Sequence, residues 1–562
     1  MSMRTFSSYL FFIFIFTHVS LIADYPVSGK NGMVVSAHRL ASEVGISILK
    51  KGGNAVDAAV GVGFALAVVY PYAGNIGGGG FMILHHSDGT NTSVDFRETA
   101  PEFAHPEMYL DENGEYLPSL SREGIISVGI PGSVAGLHYA HQKYGKLSFE
   151  EVILPAISLA RNGFELEFYQ AELLNSFYDE FCKYESSKKI FTNNGSKYKN
   201  GDLLVQKDLA STLELIKING PEGFYRGETA DKIVTMSQKL DGIITHADLE
   251  NYSVIERKVL KGSFNDYEII GMPPPSSGGI AVIQSLNIFE NFDFAKQQWG
   301  SSNYIHYLSE IFKRIFADRS KHIGDPEYYQ VPVDVLISKE YSKIIFNEIS
   351  DTAASAETIY PGDFNQIESH ETTHYSVIDS EGNAVSVTTT INSAYGSKIV
   401  CEGAGFLFNN EMDDFSSKPG EPNQFGLIGS EANKIEPRKR MLSSMSPTIV
   451  LKNDQPILIL GAPGGSTIIT SVIQVLINVL HFGMDIKQAV DVPRIHHQWR
   501  PDRLDYENFG LSDDVISNLI KRKHIIGNKR IVGRVQAIFV DQEQNVYFGA
   551  SDKRGFGSAI GY

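Results

Sequence analysis

The run TTHYSVIDSEGNAVSVTTTIN, residues 372–392, opens on two threonines and a histidine and closes on three threonines, an isoleucine and an asparagine. It alternates on both sides of Ser380-Glu381-Gly382 and reads as a β-hairpin. A three-residue hairpin loop takes a left-handed residue last, which suits Gly382. Centring the hairpin on Glu381 sets Thr372 opposite Thr390. Residues 372, 374, 376 and 378 then share a face with 384, 386, 388, 390 and 392. That face is rich in hydroxyls, while Tyr375, Val377, Val385 and Val387 on the other suit a core. Threonine is also simply a good strand former, and a bulge would flip the face, so the pattern alone leaves a structural reading open.

The chemistry open to such a row is nucleophilic. A threonine hydroxyl is a poor nucleophile at neutral pH, but an α-amine titrates at about 7.7–8.0 in model peptides. Were the bond after Glu371 cut, the amine of Thr372 would sit beside its own hydroxyl and could serve as its base. The same hydroxyl could attack the Glu371 carbonyl, form an ester and release on hydrolysis, so that the protein activates itself. The stretch 351–371 (DTAASAETIYPGDFNQIESHE) is polar, holds a Pro-Gly and reads as an exposed connection where the cut could happen.

The elements that must hold this hairpin alternate along the chain. GMVVSAH (32–38) is a strand, and an Ala-rich helix follows from the N-cap Asn54. GNIGGGGFMILHH (74–86) is a glycine loop feeding a strand, and SVDFRETAP (93–101) is a strand with a break at its end. A helical middle follows: 129–145, 147–163 ending on Gly163, 206–220 and a short helix within 243–252. PPPSSGG (273–279) is a rigid turn. Beyond the 372–392 hairpin, PTIVLKNDQPILILGAPGG is hairpin-like, STIITSVIQVLINVLHFG is a helix and RVQAIFVDQEQNVYFGASD is a final hairpin.

Composition narrows the function. The 562 residues are 42% hydrophobic and 20% charged, ordinary for a globular protein. With 49 basic and 66 acidic residues the net charge is −17, which disfavours nucleic acid and anionic membrane surfaces as partners. Residues 1–23 combine a basic start with the apolar run YLFFIFIF and a small residue, Ala23, and read as a secretory signal peptide or, alternatively, an uncleaved anchor. No later run is apolar enough to span a bilayer. Two cysteines, Cys182 and Cys401, make no disulfide framework, and sequence leaves their pairing open. The pairs His85-His86 and His496-His497 point their neighbours to opposite faces of a strand and read as structural or surface residues rather than a metal site.

Several of these motifs occur together, and in this order, in one family. TTHYSVIDSEGNAVSVTTTIN, with GGNAVDAAV, GNIGGGGFM, DFRETAP, GIPGSVAGL, PPPSSGG, NNEMDDFSSKPG, LSSMSPTIV, GAPGGS, PRIHHQW and GASDKR, resembles the γ-glutamyltransferases, also called γ-glutamyltranspeptidases or glutathione hydrolases, over nearly the whole chain after the leader. The resemblance implies a four-layer αββα sandwich, the α+β fold of N-terminal nucleophile hydrolases. It implies a large subunit of residues 24–371 and a small catalytic subunit of residues 372–562, together forming one compact domain. It also implies cleavage between Glu371 and Thr372, with Thr372 as nucleophile and Thr390 supporting it. Arg97, Ser443 and Ser444 would bind the α-carboxylate of the donor, and Asp414, Glu411 and Asn392 its α-ammonium. The amides of Gly464 and Gly465 would form the oxyanion hole. Phe425, in a loop resembling the family's lid (418–429), falls where many bacterial members carry a tyrosine.

The family likeness and the leader together imply a secreted, periplasmic or extracellular enzyme. It would move the γ-glutamyl group of glutathione or a related compound to water, an amino acid or a peptide, with no metal or organic cofactor. Its two cleavage products would form a heterodimer. One alternative keeps the fold and changes the substrate: a cephalosporin or glutaryl acylase, or a poly-γ-glutamate depolymerase. Another is an unprocessed, non-catalytic binding relative.

Overall fold

A computed structural model describes residues 25–360, 372–418, 424 and 431–562. The signal-peptide segment, Glu371 and Phe425 lie outside the described residues.

Two seven-stranded antiparallel sheets form the centre. The first runs, in spatial order, Ser558–Gly561, Gly32–Ser36, Thr373–Asp379, Ala384–Thr390, Gly79–His85, Asn91–Phe96 and Ile255–Arg257. The second runs Val27–Gly29, Val546–Ser551, Gln536–Asp541, Gln455–Gly461, Thr448–Lys452, Tyr267–Gly271 and Leu260–Phe264. The hairpin pairs Thr373 with Thr389 and Val377 with Val385, the register expected from centring on Glu381, and Gly382 has φ +87°.

The central strands of each sheet are buried on both faces. On the outer face of the first sheet, Tyr375, Val377, Val385 and Val387 pack with the helices Arg39–Lys50 and Ala55–Val69 in one core. Ala55–Val69 has no exposed residue, and Asn54 and Asp57 close its N-terminus as a capping box. On the inner face Met33, Val35, Phe81, Ile83 and Ile378 share a second core with Ile459 and Ile538 of the other sheet. That core continues into the helices Gly278–Phe289, Ser302–His322 and Thr467–Leu480 outside the second sheet. The result is the four-layer αββα sandwich, and each fully buried Ile or Val in it is worth about 1.5–3 kcal/mol.

Three local readings change. The strand expected over 93–101 ends at Phe96, so Arg97 already belongs to the loop beyond it. A last strand, Ser558–Gly561, follows the final hairpin and pairs with Gly32–Ser36; its sequence is too short and glycine-rich to have signalled it. The connection 351–371 is not simply exposed: in its described part Ala356 and Ile359 are buried, and side chains from elsewhere bind its backbone. Composition carries no trace of such bonds, since the groups held are backbone N–H and C=O.

Cys182 and Cys401 are both free thiols, Cys401 buried. Of the paired histidines, His85, His496 and His497 are buried, in keeping with structural roles. Among the described residues no group of three or more His, Cys, Asp or Glu is placed to hold a metal ion, and no helix is long and apolar enough to cross a membrane.

Candidate active site

The hairpin register carries one row of residues across the end of the first sheet. Thr373 pairs with Thr389, so Thr372 and Thr390 come next on their strands, and Thr390 pairs with Gly79. Gly80 pairs with Phe96, which brings Arg97 to the same end. Thr372 is 4% exposed, and its Oγ1 makes no hydrogen bond among the described residues. An orphaned buried hydroxyl is uncommon and marks a group held for chemistry or for a ligand. Thr390 Oγ1 accepts the Asn392 N–H at 2.8 Å. Asn392 does not continue the strand as the face pattern assumed: it turns into the left-handed region (φ +65°), and its Nδ2 donates to the Asn410 carbonyl at 2.9 Å. Its Oδ1 has no partner among the described residues.

Only the end of the polar hairpin face reaches this site. His374 and its neighbours bond within and between the sheets: His374 Nδ1 meets Thr388 Oγ1 at 2.9 Å and Nε2 meets Ser376 Oγ at 3.1 Å. Ser386 Oγ donates to the Leu460 carbonyl at 3.1 Å. Burial lowers the His374 pKa to about 3, so the imidazole stays neutral and is a feeble base. The ring lies against Gly461, where a Cβ would stand 2.4 Å away, so the strand Gln455–Gly461 approaches closely only because that residue is glycine.

Past Gly461 the chain turns toward the helix Thr467–Leu480. Gly464 and Gly465 have φ +129° and +70°, a left-handed course that glycine adopts without strain. Their carbonyls accept the N–H groups of Thr467 (3.2 Å) and Ile468 (2.9 Å). Neither glycine N–H donates to a partner among the described residues. Two free amides at a helix start can bind a developing oxyanion.

Arg97 is fully buried at the centre of an ionic cluster. Its Nη1 donates to Glu411 Oε1 at 2.5 Å and to Glu98 Oε2 at 3.3 Å. Nη2 donates to Asp414 and to the Leu442 carbonyl, and Nε to the Met441 carbonyl at 3.1 Å. Three buried carboxylates thus share one guanidinium. Burial pushes the Glu98 carboxyl up to about 7 and Glu411 well above the usual range; Arg97 opposes this and the neighbouring acids reinforce it. Glu98 and Glu411 are thereby held toward their neutral acids beside Arg97, and an incoming ammonium would favour their ionisation. Glu411 Oε2 and Glu98 Oε1 have no hydrogen-bond partner among the described residues.

Ser443 and Ser444 follow the two carbonyls that hold Arg97. The Ser443 carbonyl accepts Ser277 N–H at 2.7 Å and Ser277 Oγ at 2.8 Å, tying it to the PPPSSGG turn. Ser444 Oγ accepts a 2.5 Å bond from Arg319 Nη2, and Arg319 Nε donates to Ser277 Oγ at 2.8 Å.

The sequence reading missed Glu98 and Arg319. Glu98 could have been found as the immediate neighbour of Arg97 in DFRETAP. Arg319 sits on Ser302–His322 at three-, four- and seven-residue spacing from Phe316, Ile315 and Phe312, all buried. That spacing places it on the apolar stripe, where an arginine needs a partner.

Two facing antiparallel sheets, helices outside both and a threonine at the head of a central strand define the N-terminal nucleophile hydrolase fold. Cephalosporin acylase from Bacillus halodurans superposes with a TM-score of 0.86 at 27% identity, covering 100% of this chain and 99% of that one. The γ-glutamyltranspeptidase of Helicobacter pylori gives 0.57 at 48% identity, covering 58% of this chain and 94% of that one. The glutathione hydrolase proenzyme of Escherichia coli K12 is 46% identical over 532 residues, 94% of this chain and 91% of its own. The gamma-glutamyltranspeptidase family model matches residues 41–562, and the chain belongs to that family.

Proposed function

We propose that this enzyme is made as a precursor, cuts itself between Glu371 and Thr372, and then hydrolyses and transfers γ-glutamyl groups, with glutathione or a similar γ-glutamyl compound as donor. The observation that carries the reading is the placement of an unpartnered Thr372 hydroxyl in one row with Arg97 and its buried acidic partners.

In the maturation step Thr372 Oγ attacks the Glu371 carbonyl. A C–O bond forms, the C–N bond breaks, and the hydroxyl proton passes to the nitrogen. Water hydrolyses the ester, leaving Glu371 as a carboxylate and Thr372 with a free α-amine. The nearest imidazole on the strand, His374, is held neutral with a pKa near 3 and is poorly matched to the task of base. Once the cut has freed it, the α-amine of Thr372 is well matched to that task in the turnover that follows.

The donor is read by its zwitterionic end. Its α-carboxylate takes the Arg97 fork together with Ser443 and Ser444, since a planar guanidinium offers two parallel bonds to a carboxylate. Glu411 and Asp414, released from Arg97, turn to the α-ammonium with Asn392. The γ-carbonyl then lies at Thr372, and Thr390 supports the attacking hydroxyl. The oxyanion rests on the amides of Gly464 and Gly465. The leaving amine takes a proton from the Thr372 ammonium, and water, an amino acid or a peptide collects the γ-glutamyl group from the ester. The two products, residues 24–371 and 372–562, stay together as a heterodimer. The basic-then-apolar start of the chain supports export to the periplasm or beyond.

Thr372→Ala tests the reading. The variant stays a single band on a denaturing gel and releases no product from γ-glutamyl-p-nitroanilide. The wild type runs as two fragments, the smaller starting at Thr372, and mass spectrometry finds the γ-glutamyl ester on that residue. An ester on another side chain, or a variant that matures normally, overturns the assignment. Turnover of glutaryl compounds in preference to γ-glutamyl ones moves the enzyme to the acylase reading.

A further inference from the structure

The proposed mechanism gives Arg319 no part, yet Arg319 is bonded directly to one serine of the site and, through a second serine, to another. It is 1% exposed on the helix Ser302–His322, with its guanidinium carbon 5.9 Å from the Phe316 ring centre. A buried guanidinium is costly unless its N–H groups are received. Nη2 donates to Ser444 Oγ at 2.5 Å and Nε to Ser277 Oγ at 2.8 Å.

Ser277 passes the tie on. Its N–H and its Oγ both donate to the Ser443 carbonyl, at 2.7 and 2.8 Å. The Ser443 N–H donates to the Pro275 carbonyl at 2.8 Å, and Ser276 Oγ to the Met445 carbonyl at 2.6 Å. Residues 443–445 are thus fastened to the PPPSSGG turn along their backbone, and Arg319 adds the bond that fixes a side chain.

The direction of these bonds matters. A guanidinium has five N–H donors and no acceptor, so each hydroxyl bonded to Arg319 must accept. The proton of Ser277 Oγ then goes to the Ser443 carbonyl. The proton of Ser444 Oγ is likewise turned away from Arg319. Ser443 Oγ is set in the same sense, since it accepts the Met445 N–H at 3.2 Å. Both hydroxyls are therefore oriented as donors, and a carboxylate can only accept. The Arg319 charge also polarises the Ser444 hydroxyl and stands one hydroxyl away from whatever anion that hydroxyl binds, where a low dielectric strengthens the attraction.

We propose that Arg319 is a positioning residue for the donor's α-carboxylate. It acts through Ser444, whose hydroxyl it holds in the donating sense, and through Ser277, which fixes the Ser443 backbone. The inference rests on the donor binding proposed above, in which Ser443 and Ser444 take the α-carboxylate beside Arg97.

The test is steady-state kinetics on γ-glutamyl-p-nitroanilide with Arg319→Gln, Ser444→Ala and the double variant, each used as fully cleaved protein. Arg319→Gln is expected to raise the donor KM, and the inhibition constant of L-glutamate, about ten-fold, with kcat within about two-fold of the wild type. In the Ser444→Ala background the same change should add less than about two-fold, because the group it acts through is gone. An unchanged KM in Arg319→Gln overturns the inference. So does an equal further loss in the Ser444→Ala background, or a fall in kcat as large as the rise in KM, which is what general damage to the helix gives. Should Arg319→Gln not yield cleaved protein, Ser277→Ala decides. It removes only the hydroxyl that joins Arg319 to Ser443 and should raise KM about three-fold at constant kcat; a wild-type KM there overturns the inference. The two levels separate cleanly. Ser444→Ala with the wild-type KM removes the carboxylate reading and this inference with it, whereas a raised KM in Ser444→Ala beside a wild-type KM in Arg319→Gln removes the inference alone.

Discussion

In the proposed mechanism Arg97 is the residue on which donor recognition turns. The buried guanidinium is shared by Glu98, Glu411 and Asp414, so it offers a carboxylate its fork only while its present partners find another partner. In the proposed mechanism the donor's α-ammonium is that partner, so carboxylate and ammonium would bind as a unit. Arg97→Lys keeps the positive charge and loses the fork. The donor KM is expected to rise about 30-fold, equivalent to about 2 kcal/mol of lost charge-assisted bonding. Self-cleavage uses no α-carboxylate and should proceed. Steady-state kinetics on γ-glutamyl-p-nitroanilide beside a maturation gel checks both, and an unchanged KM removes Arg97 from donor binding.

At the scale of elements, two pieces must meet: the head of the strand Thr373–Asp379 and the turn between Gly461 and the helix Thr467–Leu480. The His374 ring against Gly461 sets their separation. The turn then depends on Gly464, where a Cβ would stand 2.6 Å from Thr467 Oγ1 and 2.9 Å from the Gly533 Cα. The backbone of Gly533 cannot swing aside as a flexible side chain could. Gly464→Ala therefore rotates the turn and carries its amides away from the γ-carbonyl. The expected result is a kcat lower by about 100-fold, as for losing one oxyanion donor, with the donor KM little changed because the zwitterion clamp is elsewhere. An unaltered kcat would show that these amides do not face the reacting carbonyl.

At the scale of the molecule, the two sides of the Glu371–Thr372 bond are interleaved. In the first sheet the strand Gly32–Ser36 lies between Ser558–Gly561 and Thr373–Asp379, and Ala384–Thr390 lies beside Gly79–His85. In the second, Val27–Gly29 pairs with Val546–Ser551 and Thr448–Lys452 with Tyr267–Gly271. Separating the fragments means opening both sheets and both of the large cores, so cleavage should leave one particle. Size-exclusion chromatography of the cleaved protein should show both fragments co-eluting until denaturant unfolds them in a single transition. Dissociation in native buffer would contradict the shared core.

The sequence by itself determined the hairpin and its register, because strand alternation and the turn at Gly382 leave a single pairing that keeps Tyr375 and Val377 in a core. It also determined the family, since many motifs in one order carry it, and with them the residues to look for at the site. Tertiary structure alone decided which of those residues are neighbours. Arg97 is far from Glu411 and Asp414 in the chain and meets them only when the loop beyond Phe96 folds against residues 411–414. It also decided the charge state of His374 and Glu98, because desolvation depends on everything packed around a group. And it decided that the connection before Thr372 is gripped by its backbone. Such bonds leave no mark on side-chain composition, so no reading of DTAASA could have found them.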